Sequence, residues 1–272
     1  MSQEANAHMQ TSSILTDARG EGRTILLVPG GLTGWQSWKP HQEILAKTNR
    51  AIRTQLHAVE SGLRGEQLPN DYSLRYESNS LARKIDELGL DRFDIVGWSF
   101  GAAVSLTYAI HHPERVRSLT LIEPPAIWVL RSQGPLSKEL EADRTAIAKL
   151  YPGPVTDDQL VWFSHFAGFV PPDVDPRKLP MWPSWSEHKQ SLRNGDVVFA
   201  HEDDISLVRN FANPVLLFKG TGSAVFLQNI IDILVKEFPN AQLAELPGGH
   251  APQIVSMPQF METLNNFLEA HA

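Results

Sequence analysis

The feature that most restricts this chain is alternation: short apolar runs bounded by Gly or Pro take turns with stretches of helical spacing. Thr24 opens TILLVPGG, an apolar run halted by Gly30-Gly31, which reads as a buried strand meeting a tight turn. Residues 35–48 can form a helix, and 51–57 (AIRTQLH) a second strand. Leu81, Ile85 and Leu88 mark the inner face of a helix that Gly89 can stop. Phe93-Asp94-Ile95-Val96 is a third strand ending at Gly97, followed by a helix from Ala102 to Ile110 that His112-Pro113 closes. Val116 to Ile122 is a fourth strand, ended by Glu123-Pro124-Pro125. Pro214 opens a fifth, VLLFKG; 226–237 read as helix, Ala241 to Leu246 as a sixth strand, and Pro258 to about Leu268 as a last helix. Such order implies parallel strands joined by crossover helices, with helices on both faces of the sheet.

The alternation breaks between about 125 and 212, a stretch rich in Pro and Trp with no strand pattern. Thr156-Asp157-Asp158-Gln159 fits a capping box, with Trp162, Phe166 and Phe169 following at helical spacing. The predicted organisation is an α/β core from 1–124 and 213–272, interrupted by a helical cap at 125–212. Residues 1–12 are polar and are expected to be disordered.

Composition narrows the function classes. The 272 residues carry 24 basic and 31 acidic side chains, a formal charge of −7, without a basic block. That argues against nucleic acid and anionic membranes as partners. Without cysteine there is no disulfide, no thiolate metal site and no Cys nucleophile. The N-terminus lacks the basic start and apolar run of a signal peptide, and no stretch nears 18 apolar residues, so a cytoplasmic protein is expected. Oligomeric state is not legible.

Gly97-Trp98-Ser99-Phe100-Gly101 matches G-x-S-x-G. The pattern alone is weak; its position between a predicted strand and a predicted helix is what a nucleophile elbow requires. Flanking glycines remove Cβ atoms that would collide in so sharp a turn. The turn lifts the serine hydroxyl above the sheet and aims a helix N-terminus at a developing oxyanion.

On PGG at 29–31, GWSFG at 97–101 and GGHAP at 248–252, the chain resembles the α/β-hydrolase superfamily from about residue 20 onward. The resemblance implies Ser99 as nucleophile and His250, after the last strand, as general base. It implies an oxyanion hole from the Phe100 amide and one from the loop after TILLVP, Gly31 being favoured over Leu32. The family usually has His-Gly there; this chain has Pro29-Gly30-Gly31.

The acid departs from the family pattern. The usual position, shortly after VLLFKG, holds Ser223, and no Asp or Glu occurs from 205 to 231. Glu123, at the end of the strand after the nucleophile helix, lies on the same sheet edge as Ser99. Some relatives, one group of haloalkane dehalogenases among them, place the acid there. Asp232, Asp203 or a Ser–His dyad helped by Ser223 or water are the alternatives.

Other features are read as structural: His201-Glu202-Asp203-Asp204 as a solvated helix start rather than a metal site, Glu245 as a strand residue, and the glycines near 30–34 as no dinucleotide fingerprint. No cofactor is expected. Leu32, Trp35, Trp98, Trp128, Trp162 and Phe166 are the candidate pocket residues, while Phe163, Trp182 and Trp185 can pack the cap. The expected activity is hydrolysis of a small or medium, largely apolar ester, lactone or thioester through an acyl-enzyme. Carbon–carbon bond hydrolysis or lyase chemistry is the alternative on this scaffold. A non-catalytic small-molecule-binding protein is the alternative from another class.

Overall fold

The protein is described by a computed structural model covering residues 14–151 and 153–272. The expectation for 1–12 lies outside the described residues. In chain order the elements are β1 (Thr16–Arg19), β2 (Thr24–Val28), a 3-10 turn (Gly34–Trp38), α1 (Lys39–Leu45), β3 (Arg50–Thr54), α2 (His57–Arg64), α3 (Leu74–Glu87), β4 (Phe93–Trp98), α4 (Phe100–His111) and β5 (Val116–Ile122). Six short helices follow: α5 (Ile127–Arg131), α6 (Lys138–Ala148), α7 (Asp157–Phe166), α8 (Trp182–His188), α9 (Val197–Ala200) and α10 (Ile205–Arg209). The chain closes with β6 (Val215–Gly220), α11 (Val225–Glu237), β7 (Ala241–Leu246), α12 (Pro252–Val255) and α13 (Met257–Ala270).

The strands form one seven-stranded sheet in the order β1-β3-β2-β4-β5-β6-β7. All neighbouring pairs are parallel except β1 with β3. The six expected strands are present. β1 was not anticipated: its sequence, TDAR, is polar, and its outer half is exposed at the sheet edge. The helix expected at 35–48 is split, because Pro40 cannot continue the preceding turn and instead starts α1. The strand expected to reach His57 stops at Thr54, and His57 begins α2.

Period-two burial sorts the core onto two faces. Leu26, Val28, Ile95, Leu121 and Leu217 point into one layer with α3, α4 and α11; Ile25, Leu27, Val96, Ile122 and Phe218 point into the other with α1 and α13. The insertion between β5 and β6 contains helices and 3-10 turns and no strand among its described residues, and Thr156 and Gln159 form the reciprocal capping box of α7. Among the described residues no helix is long and apolar enough to cross a membrane.

Candidate active site

β4 runs into α4 with Ser99 between them, at φ 53° and ψ −124°. A side chain other than glycine's at this φ costs on the order of 1–3 kcal/mol, so the surroundings must impose it. They do so by contact. The Ser99 N–H donates to Ile122 O at 2.9 Å, and its carbonyl accepts from the Ala102 and Ala103 amides. A Cβ on Gly97 would come within 2.6 Å of Ser105 Oγ, and one on Gly101 within 2.2 Å of Pro29 O. Glycine at both flanks is therefore a packing requirement.

Three side chains from three segments meet above this turn. His250 Nε2 lies 2.7 Å from Ser99 Oγ, and His250 Nδ1 lies 2.8 Å from Glu123 Oε2. A carboxylate only accepts, so Nδ1 carries the proton and Nε2 is left to accept from the serine hydroxyl. Glu123 is fully buried and sits at φ 46° just past β5. Its Oε1 accepts from the Gly220 amide at 2.7 Å, and Oε2 accepts additionally from Ser223 Oγ at 2.5 Å. The loop that carries His250 is held by its own backbone: the His250 N–H donates to Gly168 O, and the Trp98 indole donates to His250 O at 2.8 Å. The Phe169 ring meets the imidazole edge-on at 4.8 Å. Gly249 passes so close to the Gly168 carbonyl that a Cβ would stand 2.1 Å from it.

Phe100 is the first residue of α4, where the backbone N–H has no partner within the helix. Gly31 lies beside it: a Cβ there would be 3.6 Å from Phe100 Cβ. Ser99, Phe100, Gly31 and His250 line one cavity of about 60 Å³. Leu32 turns away; it is buried, and its carbonyl accepts from Ser191 Oγ at 2.7 Å.

The insertion supplies most of the remaining wall, with Ile147, Phe163, Phe166, Leu192, Asn194 and Phe199, and Phe226 of α11 completes it. Of the six expected pocket residues, Phe166 lines this cavity and five do not. Trp162 stacks on Phe166, 5.1 Å between rings, outside the cavity wall. Trp128 is 2% exposed within the core. Trp35 lies under the Arg53 guanidinium. Leu32 and Trp98 face a second cavity of about 310 Å³, behind His250, with Phe169 and Trp185. Ile147, Leu192, Asn194 and Phe199 carry no motif, and only the packing of the insertion turns them inward.

The alternative acids are engaged elsewhere. Asp232 and Glu245 both pair with Lys219, at 2.8 and 2.7 Å. Asp203 is buried against His201, His111 and Arg75, so the reading of that segment as a solvated helix start fails for His201 and Asp203; Glu202 is exposed, and Asp204 caps α10. Burial alone would raise the Asp203 carboxyl; hydrogen bonds from His201 and His111 and the charge of Arg75 override it and bring it down to about 2. Among the described residues no group of three or more His, Asp or Glu is arranged to hold a metal ion.

Comparison with known proteins agrees with this architecture. The sequence profile of the alpha/beta hydrolase fold matches residues 23–256. A 2-hydroxy-6-oxo-2,4-heptadienoate hydrolase from Pseudomonas putida strain F1 is 38% identical over 108 residues, which is 38% of each chain. A 2-hydroxymuconate semialdehyde hydrolase of Pseudomonas putida is 28% identical over 270 residues, covering 92% of this chain and 88% of that one. Among solved structures, a thermophilic esterase from Thermogutta terrifontis superposes with a TM-score of 0.74 at 20% identity, over 95% and 93% of the two chains.

Proposed function

The chain belongs to the alpha/beta hydrolase fold family, and from that premise we propose that it is a serine hydrolase acting on small, uncharged carboxylic esters, lactones or thioesters. The observation that carries the proposal is the continuous hydrogen-bonded chain Ser99–His250–Glu123, buried at the C-terminal edge of the sheet. His250 takes the Ser99 proton as Oγ attacks the substrate carbonyl, and the Phe100 and Gly31 amides receive the oxyanion. His250 returns the proton to the leaving alcohol. Water, deprotonated by His250, then cleaves the acyl-enzyme and restores Ser99. Glu123 orients the ring and stabilises the imidazolium that forms at each step; it does not itself take the proton.

The insertion at 125–212 acts as a cap that shelters this chemistry. The cavity supports a neutral substrate: no lysine or arginine is among its lining residues, and a carboxylate brought there would lose its water without a cation to replace it. Short-chain aryl esters should be hydrolysed, a fluorophosphonate should label Ser99, and Ser99→Ala should abolish both. Unchanged turnover in Ser99→Ala would refute the assignment.

The relatives named for 2-hydroxy-6-oxo-2,4-heptadienoate and 2-hydroxymuconate semialdehyde favour a second reading. A heptadienoate of that kind has no ester bond, so its hydrolysis breaks a carbon–carbon bond beside a carbonyl. The same three residues could perform such a cleavage here on an uncharged ketone. Turnover of a neutral vinylogous diketone with no turnover of any ester would select this reading over the first.

A further inference from the structure

Resting on the reading of Ser99 as an acylated nucleophile, we propose that Asn194 is a specificity-determining residue. It selects acyl groups that are neutral and carry a second oxygen, a ketone or a hydroxyl, remote from the scissile carbonyl. The cavity that contains Ser99 is otherwise walled by hydrocarbon and aromatic side chains on the insertion's side, and Asn194 is the amide among them. An asparagine in a tight turn ordinarily serves the turn, by bonding its side chain to nearby backbone. Here the turn is made by the backbone alone, the Asn194 N–H donating to Leu192 O at 2.8 Å, with Gly195 at φ 62° completing it. Among the described residues the Asn194 side chain has no hydrogen-bond partner, and it faces the cavity half-buried. An amide carries donors and an acceptor, and an apolar wall offers it nothing; a substrate oxygen would satisfy it.

The segment around it is held in place from several sides. Ser191 Oγ donates to Leu32 O, in the loop next to Gly31. The Gln190 side chain bonds both backbone groups of Val155. Gly62 of α2 admits the Gln190 carbonyl so closely that a Cβ would stand 2.2 Å from it. Arg144 pairs with Asp196 at 2.9 Å. These contacts fix the backbone that carries the Asn194 amide at the cavity wall, and a polar group held at such a place discriminates against ligands that leave it unpaired. The cavity of about 60 Å³ is small, which favours a short acyl chain.

The test compares aryl esters of straight-chain acids of four to six carbons with aryl esters of the same acids bearing one keto oxygen at successive positions. The wild type should show a higher kcat/KM for one oxo isomer than for the plain ester. In the near-isosteric Asn194→Leu variant that ratio should fall by about tenfold, the cost of one lost hydrogen bond in a sheltered site. Asn194→Ala should lower it likewise, and Asn194→Ser should keep part of it, so the decision does not depend on one variant folding. A ratio that changes by less than about twofold in both Leu and Ala variants overturns the role of Asn194 while leaving the hydrolase reading intact. If the wild type hydrolyses no ester and fluorophosphonate leaves Ser99 unlabelled, the hydrolase reading itself falls, and this inference with it.

Discussion

A single buried oxygen, Glu123 Oε2, receives both the His250 ring and the Ser223 hydroxyl. This contact explains how a chain with a serine where relatives hold the acid can still present a carboxylate to the imidazole. Ser223 does not stand in for a carboxylate; its hydroxyl holds the Glu123 carboxylate in place. Glu123→Gln should therefore lower kcat by roughly 10³–10⁴ with little change in KM, because the amide cannot stabilise the imidazolium by charge. Asp232→Asn, at a surface pair with Lys219, should leave the rate intact, and the reverse outcome would reassign the acid. Ser223→Ala should cost less, about 1 kcal/mol or a several-fold loss in kcat, since Gly220 still holds Oε1. That Ser99, His250 and Glu123 could meet was legible in the sequence, because each follows a short apolar run that Gly or Pro closes and so falls at the same edge of the sheet, and the three side chains do come together there. The pocket was not readable. Trp162 and Phe166 lie on the same helix and differ in what they meet, since one ring covers the back of the other. No spacing rule distinguishes the inner from the outer ring of a stacked pair.

At the scale of elements, the parallel strands were legible because β2, β4, β5 and β6 are almost wholly buried and each is a short, mostly apolar segment, interrupted by Asp94 in β4, by Arg117, Ser118 and Thr120 in β5 and by Lys219 in β6. β1 escaped because it is an edge strand with polar residues, held by pairing with β3 rather than by burial. α2 escaped for a related reason. Its N-terminus is capped from a distance: Glu77 of α3 accepts from the His57 and Ala58 amides and from the Tyr72 hydroxyl, a contact that no local capping signal announces. The junction of β2 with α4 is more exacting. Gly101 lets the first turn of α4 lie against the Pro29 carbonyl, which sets Gly31 beside Phe100. Gly101→Ala must open that contact. It should destabilise the protein by about 1–3 kcal/mol, the usual range for an overpacked core site, and should lower kcat further by parting the two amides. Thermal melting and kcat measured together separate the effects: a variant with a lowered Tm but undiminished kcat would show that the loop adjusts without disturbing Gly31.

For the whole molecule, the open question is what holds the insertion to the sheet it covers. Its return to the core passes through Asp203, and this carboxylate ties three elements together. Arg75 comes from α3, His111 from α4, and His201 from the insertion itself, where its ring also meets Thr107 of α4. Arg131 bonds the His201 carbonyl and pairs with Glu202, adding α5 to the knot. The Asp203 side chain is 3% exposed, so the cluster is not a solvent-screened surface pair. Burial opposes its ionisation, the two histidines and Arg75 favour it, and the net effect is a carboxyl near 2 rather than the ordinary 3.8. The folded value lies below the unfolded one, so the contribution to stability is present above pH 3.8. It is lost as pH falls through about 2. The difference corresponds to about 2 kcal/mol. Asp203→Asn should therefore lower the unfolding free energy by about that amount at pH 5, and the gap between variant and wild type should narrow as the pH is brought from 4 towards 2. Denaturant titrations of both proteins across that range measure it directly. A gap that persists undiminished at pH 2 would mean that Asp203 acts through shape and hydrogen bonding alone, and that its charge does not fasten the insertion.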